Sequence, residues 1–144
     1  MKTLGLSIFI VLLCSACASF DTAKSSRSSL YEQFGGQPAV DKVVAYFIDE
    51  IGYDKAIYAY FRETDIDRFT EKMTEHMCVQ LDGPCTYTGD SMADSHKGMN
   101  VTEQDFNRLV DLLIAAMDRA DIAHNTQNQL LAKLAPMRKD ILQK

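Results

Sequence analysis

The sequence predicts an all-α fold, and three observations carry that prediction. Two long stretches repeat apolar residues at i, i+3, i+4, i+7, i+8 and i+11: Val40, Val43, Val44, Phe47, Ile48 and Ile51, then Phe106, Leu109, Val110, Leu113, Ile114 and Met117. Glycines, prolines and cap-forming residues punctuate the chain at intervals that suit helices. No stretch alternates apolar and polar residues convincingly enough to argue for a strand. The chain has 144 residues, 47% of them hydrophobic, which is enough for one compact domain with a core.

In order, residues 30–34 read as a short opening helix stopped by Gly35-Gly36. Pro38 falls in the first turn of a second helix, which Gly52 is expected to end. Residues 54–61 form a short helix carrying Tyr58, Tyr60 and Phe61. Thr64 or Asp65 caps a helix over 66–81, stopped by Asp82-Gly83-Pro84. A loop over 85–89 leads to a short helical segment over 91–97. Thr102 caps a long helix, with Asp105 three positions on in the manner of a capping box. A last helix over 126–142 places Leu130, Leu131, Leu134, Met137 and Ile141 on one face, with Pro136 kinking it. His124 is expected in the loop before it.

The N-terminus is read separately. Lys2 precedes a run from position 4 to 13 that is apolar apart from Ser7, too short to span a bilayer and suited to a cleaved export signal over 1–16. Leu13-Cys14-Ser15-Ala16-Cys17 resembles the lipobox of bacterial lipoproteins, which implies acylation of Cys17, anchoring in a membrane, and a place on the periplasmic side. The absence of Asp after Cys17 points, by the same resemblance, to the outer membrane. Residues 17–29, rich in Ser, Ala and Thr, read as a lipidated flexible tether, and 30–144 as the folded domain.

The formal net charge of -5, without any basic run, argues against nucleic acid as a partner. The two remaining cysteines, Cys78 and Cys85, are close enough in sequence to pair in an oxidising compartment, and the sequence leaves their state open.

The ordered set Leu30-Tyr31-Glu32-x-x-Gly35-Gly36, Ala39-Val40, Phe47, Tyr60-Phe61, Gly83-Pro84-x-x-Tyr87-Thr88-Gly89, Met92, His96, Val101-Thr102, Phe106 and Ala135-Pro136 resembles the group 1 truncated haemoglobins. The resemblance spans residues 30–142. It implies a shortened globin, a two-over-two helical sandwich around haem b. It also implies that His96 is the proximal iron ligand, with Tyr87 and Met92 beside the haem and Met99 at its edge. A ligating imidazole needs one ring nitrogen free for iron and the other held by an acceptor.

On the distal side the resemblance implies a wall of Phe47, Ile48, Phe69 and Met73, apolar throughout, with Lys72 at its edge. Ile48 stands where many members carry Tyr, and Met73 where many carry Gln. An apolar wall weakens the hold on O2, whose partial charge gains from a donor, and affects CO and NO less. Lys72, Met73 and, last, His76 are the candidate sixth ligands of the iron, and Lys72 would first have to lose its proton. His76 shares a helix face with Phe69 and Met73 and is read as packing deeper in the core.

Three function classes follow, of which one, a helical lipoprotein that keeps the globin shell without haem as an interaction module, is argued against by His96; the other two bind haem. The first is a haem protein that reversibly binds small gaseous ligands (O2, CO, NO) and is a ligand carrier rather than an enzyme. The second is a six-coordinate haem redox or electron-transfer protein handling NO or reactive oxygen, which implies a reductase as partner.

Overall fold

The computed structural model describes residues 28–142. The expected export segment, Cys17 and nearly all of the tether lie outside the described residues. Among the described residues there are only helices, turns and loops, with no strand, and no helix is long and apolar enough to cross a membrane.

Helix α1 (Leu30–Phe34) opens with Ser29, whose hydroxyl accepts from the Glu32 N–H at 3.2 Å while the Glu32 carboxylate accepts from the Ser29 N–H at 2.8 Å. Ser29, assigned to the tether from sequence, therefore belongs to the fold. Gly35 turns the chain at φ 111°, and a Cβ there would meet the Ala39 Cβ at 2.8 Å. Helix α2 (Gly36–Tyr53) has Pro38 in its first turn, where a missing N–H leaves no helical bond unmade. It runs through Gly52 instead of ending there. Glycine weakens a helix without breaking it, and the Asp54 N–H still reaches the carbonyls of Glu50 and Ile51 at 3.2 Å. Asp54 then caps α3 (Lys55–Phe61), its carboxylate accepting from the N–H groups of Ala56 and Ile57.

Of the two candidate caps, Asp65 opens α4 (Ile66–Gln80), accepting from the Arg68 N–H at 3.0 Å. Helix α5 (Met92–Ser95), capped by Ser91, is shorter than expected. Beyond it Gly98 (φ 80°) and Asn100 (φ 51°) reverse the chain. Thr102 caps α6 (Glu103–Arg119) by accepting from the Asp105 N–H at 3.2 Å. The Asp105 carboxylate does not close a full capping box; it accepts instead from the Thr102 hydroxyl and from the Tyr60 hydroxyl at 2.8 Å, tying α3 to α6.

The last helix differs most from expectation. It starts at His124 as α7 (His124–Leu134), passes through a 3₁₀ turn, Ala135–Met137, and ends as α8 (Arg138–Ile141). His124 therefore heads a helix, though exposed as expected, with Nε2 3.5 Å from Asp118. The early start is held by buried Gln127, whose amide donates to Asp118 at 2.7 Å and to the Ile122 carbonyl at 2.8 Å. Pro136, lacking an N–H, breaks the α pattern rather than bending it.

The main packing is α2 against α6. Helices α3 and α4 also rest on α2, α7 rests on α1 and α4, and α5 meets α8. Val40, Val43, Val44, Met77, Leu81, Met117 and Leu130 are fully enclosed, each such side chain contributing about 1.5–3 kcal/mol of burial free energy. The apolar stripe of α6 divides. Leu112, Leu113, Ala116 and Met117 fill the core, while Phe106, Leu109 and Val110 stay half-buried. The pairing that the sequence leaves open is made: a disulfide joins Cys78, at the end of α4, to Cys85, with Cα atoms 6.0 Å apart.

Candidate functional site

The half-buried residues of α6 face an internal cavity of about 430 Å³. Its walls come from α2 to α8 and from the loop after α4, and they are mostly apolar. Eight of the nine residues expected at the site reach it: Phe47, Phe69, Lys72, Met73, Tyr87, Met92, His96 and Met99. Ile48 does not. Successive helical residues point about 100° apart, so with Phe47 turned to the cavity Ile48 packs, half-buried, against the core beside it.

His96 is placed by the turn that ends α5. Its Nδ1 lies 2.7 Å from the Met92 carbonyl oxygen, which also accepts from the His96 backbone N–H at 3.2 Å. A carbonyl only accepts, so Nδ1 is the donor in this bond, and the tautomer it selects has the lone pair on Nε2. The ring is half-buried in the cavity wall.

Across the cavity, α4 presents Phe69, Lys72, Met73 and His76. Phe69 packs edge-on against Phe61, ring centres 5.0 Å apart. The Lys72 ammonium donates to Glu71 at 2.7 Å, to Glu75 at 3.1 Å and to the Thr88 hydroxyl at 2.6 Å, so its three protons have three acceptors. Glu71, and then Glu75, raise its pKa above the ordinary 10.5. Glu75 also accepts from the Thr88 N–H at 2.8 Å, the main cause holding its carboxyl below the usual 4.5. This clasp fastens the loop after α4 to α4 itself and keeps Lys72 charged, without a lone pair to offer.

In that loop Tyr87 donates its hydroxyl to the Asp90 carbonyl at 2.8 Å. A Cβ at Gly89 would overlap the Tyr87 ring, coming 2.5 Å from Cζ, which gives the Tyr87-Thr88-Gly89 pattern its physical reason. His76 was expected in the core but lines the cavity. Further wall residues without a clear sequence signal are Tyr60, Phe61, Thr64, Ser95, Phe106, Leu109, Val110, Leu113, Leu134, Met137 and Ile141.

A larger, more open groove of about 690 Å³ lies between α3 and α6. Its chief polar groups are already paired, Asp54 with Arg108 at 2.6 Å and Asp105 with Tyr60 and Thr102. They leave little for a ligand.

The family model "Bacterial-like globin" matches residues 29–143. The chain is 29% identical to a group 1 truncated hemoglobin of Tetrahymena pyriformis, over 81% of this chain and 96% of that one. It is 29% identical to a group 1 truncated hemoglobin of Mycolicibacterium paratuberculosis, over 82% and 87%. The crystal structure of the Tetrahymena pyriformis truncated hemoglobin in its Fe(III) form superposes with a TM-score of 0.78, covering 81% of this chain and all of that one. The all-helical fold with its cavity is the two-over-two arrangement of those proteins. The chain belongs to the bacterial-like globin family, as a haem-binding globin related to the group 1 truncated hemoglobins.

Proposed function

We propose that the cavity holds haem b, that His96 is the protein's ligand to the iron, and that the opposite side of the iron takes small gaseous ligands reversibly, O2 foremost and CO and NO besides. The observation that carries this is the 2.7 Å bond from His96 Nδ1 to the Met92 carbonyl, which selects the tautomer that has Nε2 available for iron, in a mostly apolar wall. The donor set fits the group. Among the described residues no three His, Cys, Asp or Glu side chains converge on a bare ion, whereas an iron whose equatorial nitrogens arrive with a porphyrin needs one imidazole. The porphyrin, when bound, supplies the ligand-binding chemistry. The chain's part is to hold His96 in one tautomer, to line the pocket with Phe47, Phe69, Met73 and Leu113, and to limit water. The clasp on Lys72 supports an iron side left open to gas rather than closed by an amine.

Optical spectra of the purified full chain test the reading. The expected ferrous form is five-coordinate and shifts on adding CO, and His96→Ala loses that spectrum. An unaltered absorption profile in His96→Ala overturns the ligand assignment. A sharp six-coordinate ferrous spectrum that Met73→Leu abolishes replaces gas binding by the redox reading.

A periplasmic-side location, with the chain anchored by lipid on Cys17, is proposed on the sequence of residues 1–17. Metabolic labelling with a tagged fatty acid should mark the wild-type chain and not Cys17→Ala. Equal labelling of both refutes the anchor.

A further inference from the structure

The polar groups around the cavity are mostly spoken for. Tyr60 donates to Asp105, Tyr87 to the Asp90 carbonyl, Lys72 to its three acceptors, and His96 to the Met92 carbonyl. The Thr64 and Ser95 hydroxyls also lack a side-chain partner among the described residues, but Thr64 is half-buried and Ser95 exposed; the buried exception is His76. It is only 9% exposed, yet neither ring nitrogen has a hydrogen-bond partner among the described residues. An imidazole left unpaired at that depth is unfavourable. Every fully enclosed side-chain nitrogen and oxygen among the described residues has a partner. The unpaired nitrogens of His76 are therefore not fully enclosed, and His76 lines the cavity.

The ring is also held in place. Tyr87 packs edge-on against it, ring centres 5.3 Å apart. Tyr87 is itself pinned by Asp90 and by the close approach of Gly89. Burial lowers the His76 pKa from 6.5, so the ring is neutral near pH 7 and carries one N–H donor.

We propose that His76 is the polar contact for a ligand bound in this pocket, donating its ring N–H to iron-bound O2 from α4. This rests on the haem reading above and adds a donor that the Phe69 and Met73 positions lack. It also assigns Tyr87 as the residue that positions the donor.

The test uses the full-length holoprotein and its O2 and CO dissociation rates. Loss of one such bond in His76→Leu should speed O2 dissociation about tenfold while CO dissociation stays within about twofold. His76→Gln keeps an N–H donor and should stay within about threefold of wild type for O2. On the unaltered chain, the iron–O2 stretching frequency should shift in D2O, a readout that needs no variant. Equal O2 rates in wild type and His76→Leu, or O2 and CO rates that change alike in both variants, overturn the proposal. So does a ferrous wild type that is six-coordinate without added ligand and becomes five-coordinate in His76→Leu, because the nitrogen then coordinates instead of donating. Haem uptake with any of these results sinks this inference alone; a chain that takes up no haem sinks the haem reading with it.

Discussion

Replacing both Cys78 and Cys85 by alanine probes the loop that carries Tyr87. The disulfide spans seven positions, and the loop-closure entropy it removes from the unfolded chain corresponds to about 2.5 kcal/mol at 25 °C. For a domain of this size, at about 4 °C per kcal/mol, the midpoint of thermal unfolding should fall by about 10 °C. The ligand site should survive the change. The loop stays fastened by the Gly83 N–H to the Cys78 carbonyl at 2.8 Å, by the Thr88 N–H to Glu75 at 2.8 Å, and by the Lys72 ammonium to the Thr88 hydroxyl at 2.6 Å. Urea unfolding of the oxidised wild type, the reduced wild type and the double variant gives the answer. The last two should agree, and added reductant should leave the double variant unmoved. A difference between oxidised wild type and double variant below about 0.5 kcal/mol, the scatter of neutral substitutions, would refute the reasoning. So would a double variant that binds CO with altered kinetics, since the clasp would then not hold the loop by itself.

Other expectations concern charge and packing. Met117→Ala empties a fully enclosed site between α2 and α6 and should lower unfolding stability by about 2–5 kcal/mol, read from the urea midpoint. Burial holds the His76 pKa below 6.5, so as pH falls the unfolded chain takes up that proton first. Stability should therefore decline from pH 6.5 downward, and His76→Leu should flatten that part of the curve. The Glu75 carboxyl, held low chiefly by the Thr88 N–H, stabilises the fold fully above pH 4.5 and loses that contribution as pH falls further. Glu75→Gln should remove that segment of the acid dependence and speed amide exchange at Thr88. An unchanged acid limb in that variant counts against the clasp.

Where the sequence was legible, a local rule coincided with the tertiary demand. The apolar spacing of α2, Pro38 in its first turn, and the caps at Asp65 and Thr102 each need only near neighbours, and each is realised. His96 was singled out by its place in the ordered set of residues that carries the family resemblance, and the acceptor of its ring N–H, Met92, lies one helical turn away. The failures have the opposite character. The α6 stripe reads as a single core face, yet only its later half is core, because spacing does not distinguish a side chain against protein from one against a cavity. Phe106, Leu134, Met137 and Ile141 were therefore read as packing residues. Lys72 looks like a free amine until Thr88, sixteen residues on, is brought beside it. His76 was assigned to the core from its helix face, and its openness to the cavity depends on where Tyr87 and the disulfide place the loop. Gly52 was read as a stop because glycine often is one, but the cap needed for α3 falls at Asp54 instead.

The break at Pro136 bears on how the pocket is shut. Leu134, Met137 and Ile141 line the cavity from either side of the 3₁₀ turn, α8 rests on α5, and Arg138 is bonded to Glu103 at the start of α6 at 2.8 Å. These are the final positions of the enclosure in chain order, and they meet it through a short helix and one ion pair. Fraying of the last turns would bare one flank of the pocket while the packing of α2 against α6 stands.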